Sequence, residues 1–229
     1  MHDLDRPVWA SLTTFHAPLA EGDERARRFL RDVSLFASAR DDAADTQAAL
    51  AALVGPGEHI YVLQVPAIPL PSGLRAAKTG TGLQMVATRP LPAGRDDEIE
   101  VLTAIDAPEM LALASLTEPG PFLTRTPEMG RFLGIRRDGR LAAMAGERMR
   151  FPGHTEVSGV CTHPDFRGQG LARRLSAAVT AAIQQRGDRA FLHVWSTNTP
   201  AIELYRSLGF EVRAEVNVAV LERDLADAK

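Results

Sequence analysis

Residues 160–173 read VCTHPDFRGQGLAR, and this stretch limits the possible folds more than any other in the chain. Its first residues suit a strand that ends at Thr162, Pro164 turns the chain, and two glycines lead into a helix over residues 171–186. That helix is the clearest in the sequence. Leu171, Leu175, Ala178, Val179, Ala182 and Ile183 fall on one face, and Gly187 ends it. At a helix start the first N–H groups lack internal acceptors, and the macrodipole adds positive potential. Gly168 and Gly170 remove side chains at that point, so an anion can come close to the backbone. Arg167 and Arg173 add cationic character at the same end. The arrangement asks for a phosphate or pyrophosphate. A P-loop does not account for it, because the chain has no Gly-x-x-x-x-Gly-Lys-Ser/Thr run. A dinucleotide fingerprint fails too: Arg173 stands where a small residue is needed, and the next strand ends VWSTN without an acid.

The rest of the chain gives this loop a context. A strand is expected over residues 99–104. A helix then opens at Asp106, with Pro108 in its first turn and Glu109 at the reciprocal capping position. Strands over 132–136 and 141–149 flank an Asp138-Gly139 hairpin turn, and another strand covers 155–162. After the long helix come a strand over 189–196, a helix over 200–208 closed by Gly209, and a strand or strand pair over 210–221. The order β-α-β-β-β-α-β-α-β predicts a mixed α/β layer fold over roughly the last 130 residues. Upstream the signals are weaker. Residues 24–31 read as a charged helical or mixed segment, 33–37 as a short strand, 46–54 as a helix, and 59–65 and 83–88 as strands. Residues 89–97, RPLPAGRDD, are the best boundary between an N-terminal α/β region, 1–95, and a domain over 96–229. A long surface loop within one continuous sheet is the open alternative.

Composition narrows the partners. Lys and Arg total 26 against 29 Asp and Glu, a net charge of −3, which argues against nucleic acid as a ligand. A single cysteine, Cys161, can form neither an internal disulfide nor, alone, a metal site. The opening MHDLDRPVWA has no apolar core behind a basic start, as a secretory leader would. The most apolar stretch, residues 60–74, is broken by Pro66, Pro69 and Pro71 and falls short of the ~20 residues of a spanning helix. A cytoplasmic location with no membrane partner is the expectation.

Arg167-x-x-Gly170-x-Ala172 between a strand and a helix resembles the acetyl-CoA-binding signature of the GNAT superfamily of N-acyltransferases. Downstream, NTPAIELYRSLGF from Asn198 to Phe210 resembles that family's Asn-x-x-Ala-x-x-x-Tyr-x-x-x-Gly-Phe segment, so the resemblance spans about residues 99–221. It implies a mixed, mostly antiparallel central sheet flanked by helices, with acetyl-CoA as donor and a small-molecule or peptide amine as acceptor. It also implies that Val160, Cys161 and Thr162 offer backbone groups to the pantetheine arm. The amides of Gly168, Gln169, Gly170, Leu171, Ala172 and Arg173 would hold the pyrophosphate beside Arg167, and Asn198 would bond the arm. The reaction implied is direct attack of the amine on the thioester through a tetrahedral intermediate. Tyr205 would protonate the departing sulfur, and a base or water chain would deprotonate the amine. His193 is the leading base, and Glu156 and Glu147, otherwise solvated carboxylates, also sit where family bases occur.

Each of these residues has a plainer role open to it. Tyr205 shares a helix with Ile202 and Leu208 and can simply pack, and His193 shares a strand face with Phe191 and Trp195. Cys161 is expected to be a small buried thiol beside the cofactor rather than an acyl carrier. His154 and His163 read as surface turn residues. Thr199 is the expected cap of the helix at Pro200, leaving Asn198 to the ligand. Whether the N-terminal region is a degenerate second copy of the fold, a lid over the acceptor or a homodimer surface stays open. A CoA-binding regulatory module without turnover is the alternative to an enzyme.

Overall fold

The computed structural model describes residues 2–92, 94 and 96–223. Ala93 and Arg95 of the expected boundary segment, Met1, and residues 224–229 of the second region lie outside the described residues. The chain begins with a short helix α1 (Pro7–Leu12) and a three-stranded antiparallel sheet of β1 (Ala20–Gly22), β2 (Ala26–Phe29) and β3 (Ala37–Ala39). Helix α2 (Ala44–Ala52) and strands β4 (His59–Gln64) and β5 (Arg75–Ala87) complete the first region. Then follow β6 (Ile99–Leu102), α3 (Ala107–Thr117), β7 (Phe132–Arg137), β8 (Arg140–Phe151) and β9 (His154–Thr162). Last come α4 (Leu171–Gln185), β10 (Arg189–Trp195), α5 (Thr199–Ser207) and β11 (Phe210–Glu222). No helix among the described residues is long and apolar enough to cross a membrane.

Eight strands form the main sheet in the order β4-β11-β5-β10-β9-β8-β7-β6, antiparallel at every junction except β9 with β10. It is the mixed, mostly antiparallel sheet the resemblance implied. The two sides of the 89–97 loop share it: β5, from the first region, lies between β10 and β11 of the second. The loop therefore joins two strands of one sheet. Apolar residues cover both sheet faces because neighbouring residues of a strand point opposite ways. On β10, Leu192 faces Leu175, Val179 and Ile183 of α4, whereas Phe191 packs with Val8 of α1, Phe29 and Phe151. The Asp138-Gly139 turn forms as expected, with φ of 51° and 74° at its two central residues.

Four local expectations are corrected. Residues 24–31 contain strand β2, not a helix; Arg28 is buried there because its guanidinium meets Glu58 at 3.0 Å, a long-range pairing that its charge-rich neighbourhood hides. The short strand expected over 33–37 starts only at Ala37, and the one expected over 83–88 begins at Arg75. The reciprocal cap uses Asp106 rather than Glu109 and closes a 3-10 turn, Ala104–Asp106, just before α3, whose own start has no side-chain cap. The Asp106 carboxylate accepts from the Thr103 N–H at 2.8 Å, while Thr103 Oγ1 accepts from Ile105.

The parallel junction positions the site. β9 and β10 pair only over residues 154–156 and 189–191, and beyond that point they separate. An extra residue in β9 at the Gly159 bulge, φ 62°, shifts its register against β8 and bends it away. A wedge-shaped cleft opens between the diverging strands.

Candidate active site

The loop between β9 and α4 sits at the mouth of this wedge. Gly168 and Gly170 have φ of 78° and 72°, the left-handed region, and no atom lies within 4 Å of where either Cβ would stand. Gly170 caps α4 without a side-chain bond, and among the described residues no protein group accepts from the N–H of residues 168–173. Six unsatisfied donors at the positive end of a 15-residue helix, facing open space, fit a pyrophosphate. Arg167 lines the cleft beside them. Arg173 does not: its guanidinium turns to the Ser207 hydroxyl on α5.

Inward, the cleft holds about 380 Å³. Val160, Cys161 and Thr162 of β9 form one wall, His193 and Trp195 of β10 the other, and Asn198 and Tyr205 of α5 complete it. Of the sequence-predicted residues, Val160, Cys161, Thr162, Arg167, Ala172, His193, Asn198 and Tyr205 meet around this one space. Burial pushes the Tyr205 phenol up to about 12, so it keeps its proton throughout the neutral range, and its ring packs edge-on against Phe210 at 6.0 Å. Burial likewise pushes the Cys161 thiol up to about 11, only partly offset by hydrogen bonds with Thr117 and the Met144 backbone. It is a neutral thiol at pH 7, as expected of a packing residue.

Asn198, not Thr199, caps α5: its Oδ1 accepts from the Ala201 N–H at 3.3 Å, and Thr199 is already the first helical residue. The side-chain amide N–H groups of Asn198 stay available to the cleft. His193 lies on the wall, but both ring nitrogens are engaged. Nδ1 meets Glu156 Oε1 at 2.7 Å and Nε2 meets Gln84 Nε2 at 3.0 Å. The Gln84 amide is oriented by its other partners, since Oε1 accepts from Arg213 and Nε2 donates to the Leu4 carbonyl. Its Nε2 therefore donates to His193 Nε2 as well, and His193 Nδ1 donates to Glu156. The lone pair that a base would use is already occupied.

Glu156 and Glu147 are not solvated. Glu156 is fully buried and takes both oxygens of a two-pronged bond from Arg148, at 2.8 and 2.7 Å. Against the opposing cost of burial, Arg148 and His193 hold its carboxyl down to about 2. Glu147 faces Arg186 at 2.9 Å and does not line the cleft. His163 closes its own turn by accepting from the Asp165 N–H, and His154 is half-buried, stacked on Phe151.

Sequence reasoning missed the far end of the cleft. Phe36, Tyr61 and Leu63 of the first region, Glu118 after α3, and Arg148 all line it. Only Arg148 left a signal, because the hairpin around Pro152 and Gly153 brings β8 and β9 together and so sets it near Glu156.

A family model described as FR47-like protein matches residues 132–219. The crystal structure of a GNAT-family protein from Novosphingobium aromaticivorans is similar over 98% of this chain and 100% of that one, with 42% identity and a TM-score of 0.92. A GCN5-related N-acetyltransferase from Kribbella flavida shares the fold over 96% of each chain, at 20% identity and a TM-score of 0.63. Two curated relatives are mycothiol acetyltransferases. That of Saccharomonospora viridis is 36% identical over 100 residues, 39% of this chain and 33% of its own. That of Thermobispora bispora is 46% identical over 56 residues, 24% of this chain and 19% of its own. The chain thus spans a third or less of these curated relatives.

Proposed function

Since this chain belongs to the GNAT family of acetyltransferases, we propose that it moves an acetyl group from acetyl-CoA to a primary amine. The observation that carries the reading is the row of unsatisfied N–H donors at residues 168–173, at the edge of the cleft that Arg167, Ala172 and Tyr205 line. Those amides and Arg167 would hold the pyrophosphate. The free edge of β9 at Val160, Cys161 and Thr162 and the amide of Asn198 would hold the arm. Acetyl-CoA supplies an activated acyl group as a thioester. An N–H on the free edge of β9 stabilises the charge that develops on the acyl oxygen. The N–C bond forms first, and collapse of the tetrahedral adduct then breaks the C–S bond. Tyr205 gives its proton to the departing sulfur and regains one from the newly acylated nitrogen, help typically worth ~10²–10⁴-fold.

His193 can accept the amine's first proton only if Gln84 releases Nε2, so in this reading that proton leaves through water in the open cleft. Turnover should then keep rising with pH toward the amine's own ionisation, around 10 for an alkylamine. Turnover that levels off well below the amine's own ionisation, and does so only while His193 is present, would return the base role to His193. The central test follows free thiol while the protein meets acetyl-CoA and a panel of amines. Tyr205→Phe is expected to lower turnover tenfold or more, with acetyl-CoA affinity nearly unchanged by calorimetry. Tight CoA binding with no thiol release on any amine would instead establish a binding module.

A further inference from the structure

Beyond Tyr205 the cleft runs into a second hollow of about 560 Å³, and the two share Tyr61, Glu118, Gly120, Pro121, Trp195 and Val218. Tyr61, Trp195, Phe122 and Val220 give this outer space an apolar side wide enough for a ring, beside the polar groups of Lys78, Thr79, Ser115 and Glu118. The one cation lining it among the described residues, the Lys78 ammonium, lies 5.6 Å over the Trp195 ring, and Arg148 of the inner cleft is bound to Glu156. Among the described residues, Glu118 is the sole carboxylate lining either hollow, and its side chain has no ion pair or hydrogen bond. Its backbone is unusual as well. Glu118 caps α3 in the left-handed region, φ 48° and ψ 53°, where glycine is the favoured residue. Asp138, the only other non-glycine with positive φ among the described residues, sits in a hairpin turn that favours it.

We propose, building on the acetyl-transfer reading, that Glu118 receives the ammonium of the acceptor and that the acceptor is a monoamine with an apolar, ring-sized flank. The flank lies against Tyr61 and Trp195, and Glu118 holds the amine at the junction of the two hollows. A polyamine is disfavoured, because its further ammonium groups meet Lys78 or Arg148. Glu118 acts here as a specificity residue, and the proton still leaves to water.

Kinetics with 2-phenylethylamine, ethylamine and spermidine as acceptors test this, with aniline as an aromatic amine that is neutral at pH 7. The ring-bearing cation is expected to exceed ethylamine and spermidine at least tenfold in kcat/KM. Glu118→Gln should raise KM for 2-phenylethylamine about three- to fivefold, the scale of one exposed ion pair, with kcat within twofold. KM for aniline should not move. Trp195→Ala should erase the preference for the ring. Both side chains are exposed, so neither change threatens the fold. If no amine is acetylated, calorimetry of 2-phenylethylamine on the CoA-loaded protein reads the same site: binding weakened by Glu118→Gln upholds this proposal while the transfer reading fails. Equal use of all three alkylamines, an unchanged KM or affinity in Glu118→Gln, or no amine binding at all would overturn it.

Discussion

At Glu156 a fully buried carboxylate is tied to Arg148 and His193, and Arg148 in turn lies 4.7 Å over the Phe36 ring. Removing one partner of such a pair leaves the other charge stranded. Glu156→Gln should therefore cost about 3–5 kcal/mol, read as a lower denaturant midpoint. Acid should expose the same group. Its folded carboxyl sits at about 2 against the ordinary 4.5, so its stabilisation is complete above about 4.5 and fades as pH falls toward 2. Glu156→Gln should flatten the stability profile across that window. Glu118 predicts the reverse: Glu118→Gly relieves left-handed strain and should add about 1 kcal/mol of stability while weakening the amine site. Tyr205 and Cys161 were legible as residues because their chemistry follows from burial beside a known loop. His193 and Asn198 were only half legible. Where they sit follows from the motif, but what they bond does not, since Gln84 comes from 109 positions away.

In the proposed reading, donor binding rests on the start of α4. Gly170→Ala forces a side chain into a left-handed cap and places a methyl over the open amides, so acetyl-CoA affinity should fall roughly tenfold. Gly187→Ala is the control. It stands just past the other end of the same helix, at φ 85° and also in open space, so it should cost similar stability and leave affinity untouched. Calorimetry and thermal melts of the pair separate strain from ligand contact. Elements whose pattern is local, such as α4, the Asp138-Gly139 hairpin and β4, were readable in advance. β5 was not, because RAAKTGTG carries no strand pattern; its first half is a strand because β11 pairs with it. β2 was masked by arginines whose partners lie in other segments.

At the scale of the molecule, the first region is inseparable from the second. β5 hydrogen-bonds both β10 and β11, and Phe36, Tyr61 and Leu63 line the far end of the cleft. A chain cut to residues 96–229 should therefore lose cooperative unfolding, with β10 and β11 left as raw edges. A sharp melting transition for that fragment, followed by circular dichroism, would contradict this.

The sequence by itself determined the strand–loop–helix anion cradle, the Asn and Tyr helix that follows it, and hence the family, because these depend on residue types at short spacings. Tertiary structure alone decided that the two regions share one sheet and that His193 is occupied while Glu118 is free. It also decided that the first region lines the far end of the cleft. Those outcomes rest on hydrogen bonds and ion pairs between segments far apart in the chain, whose free energies exist only after the sheet has assembled.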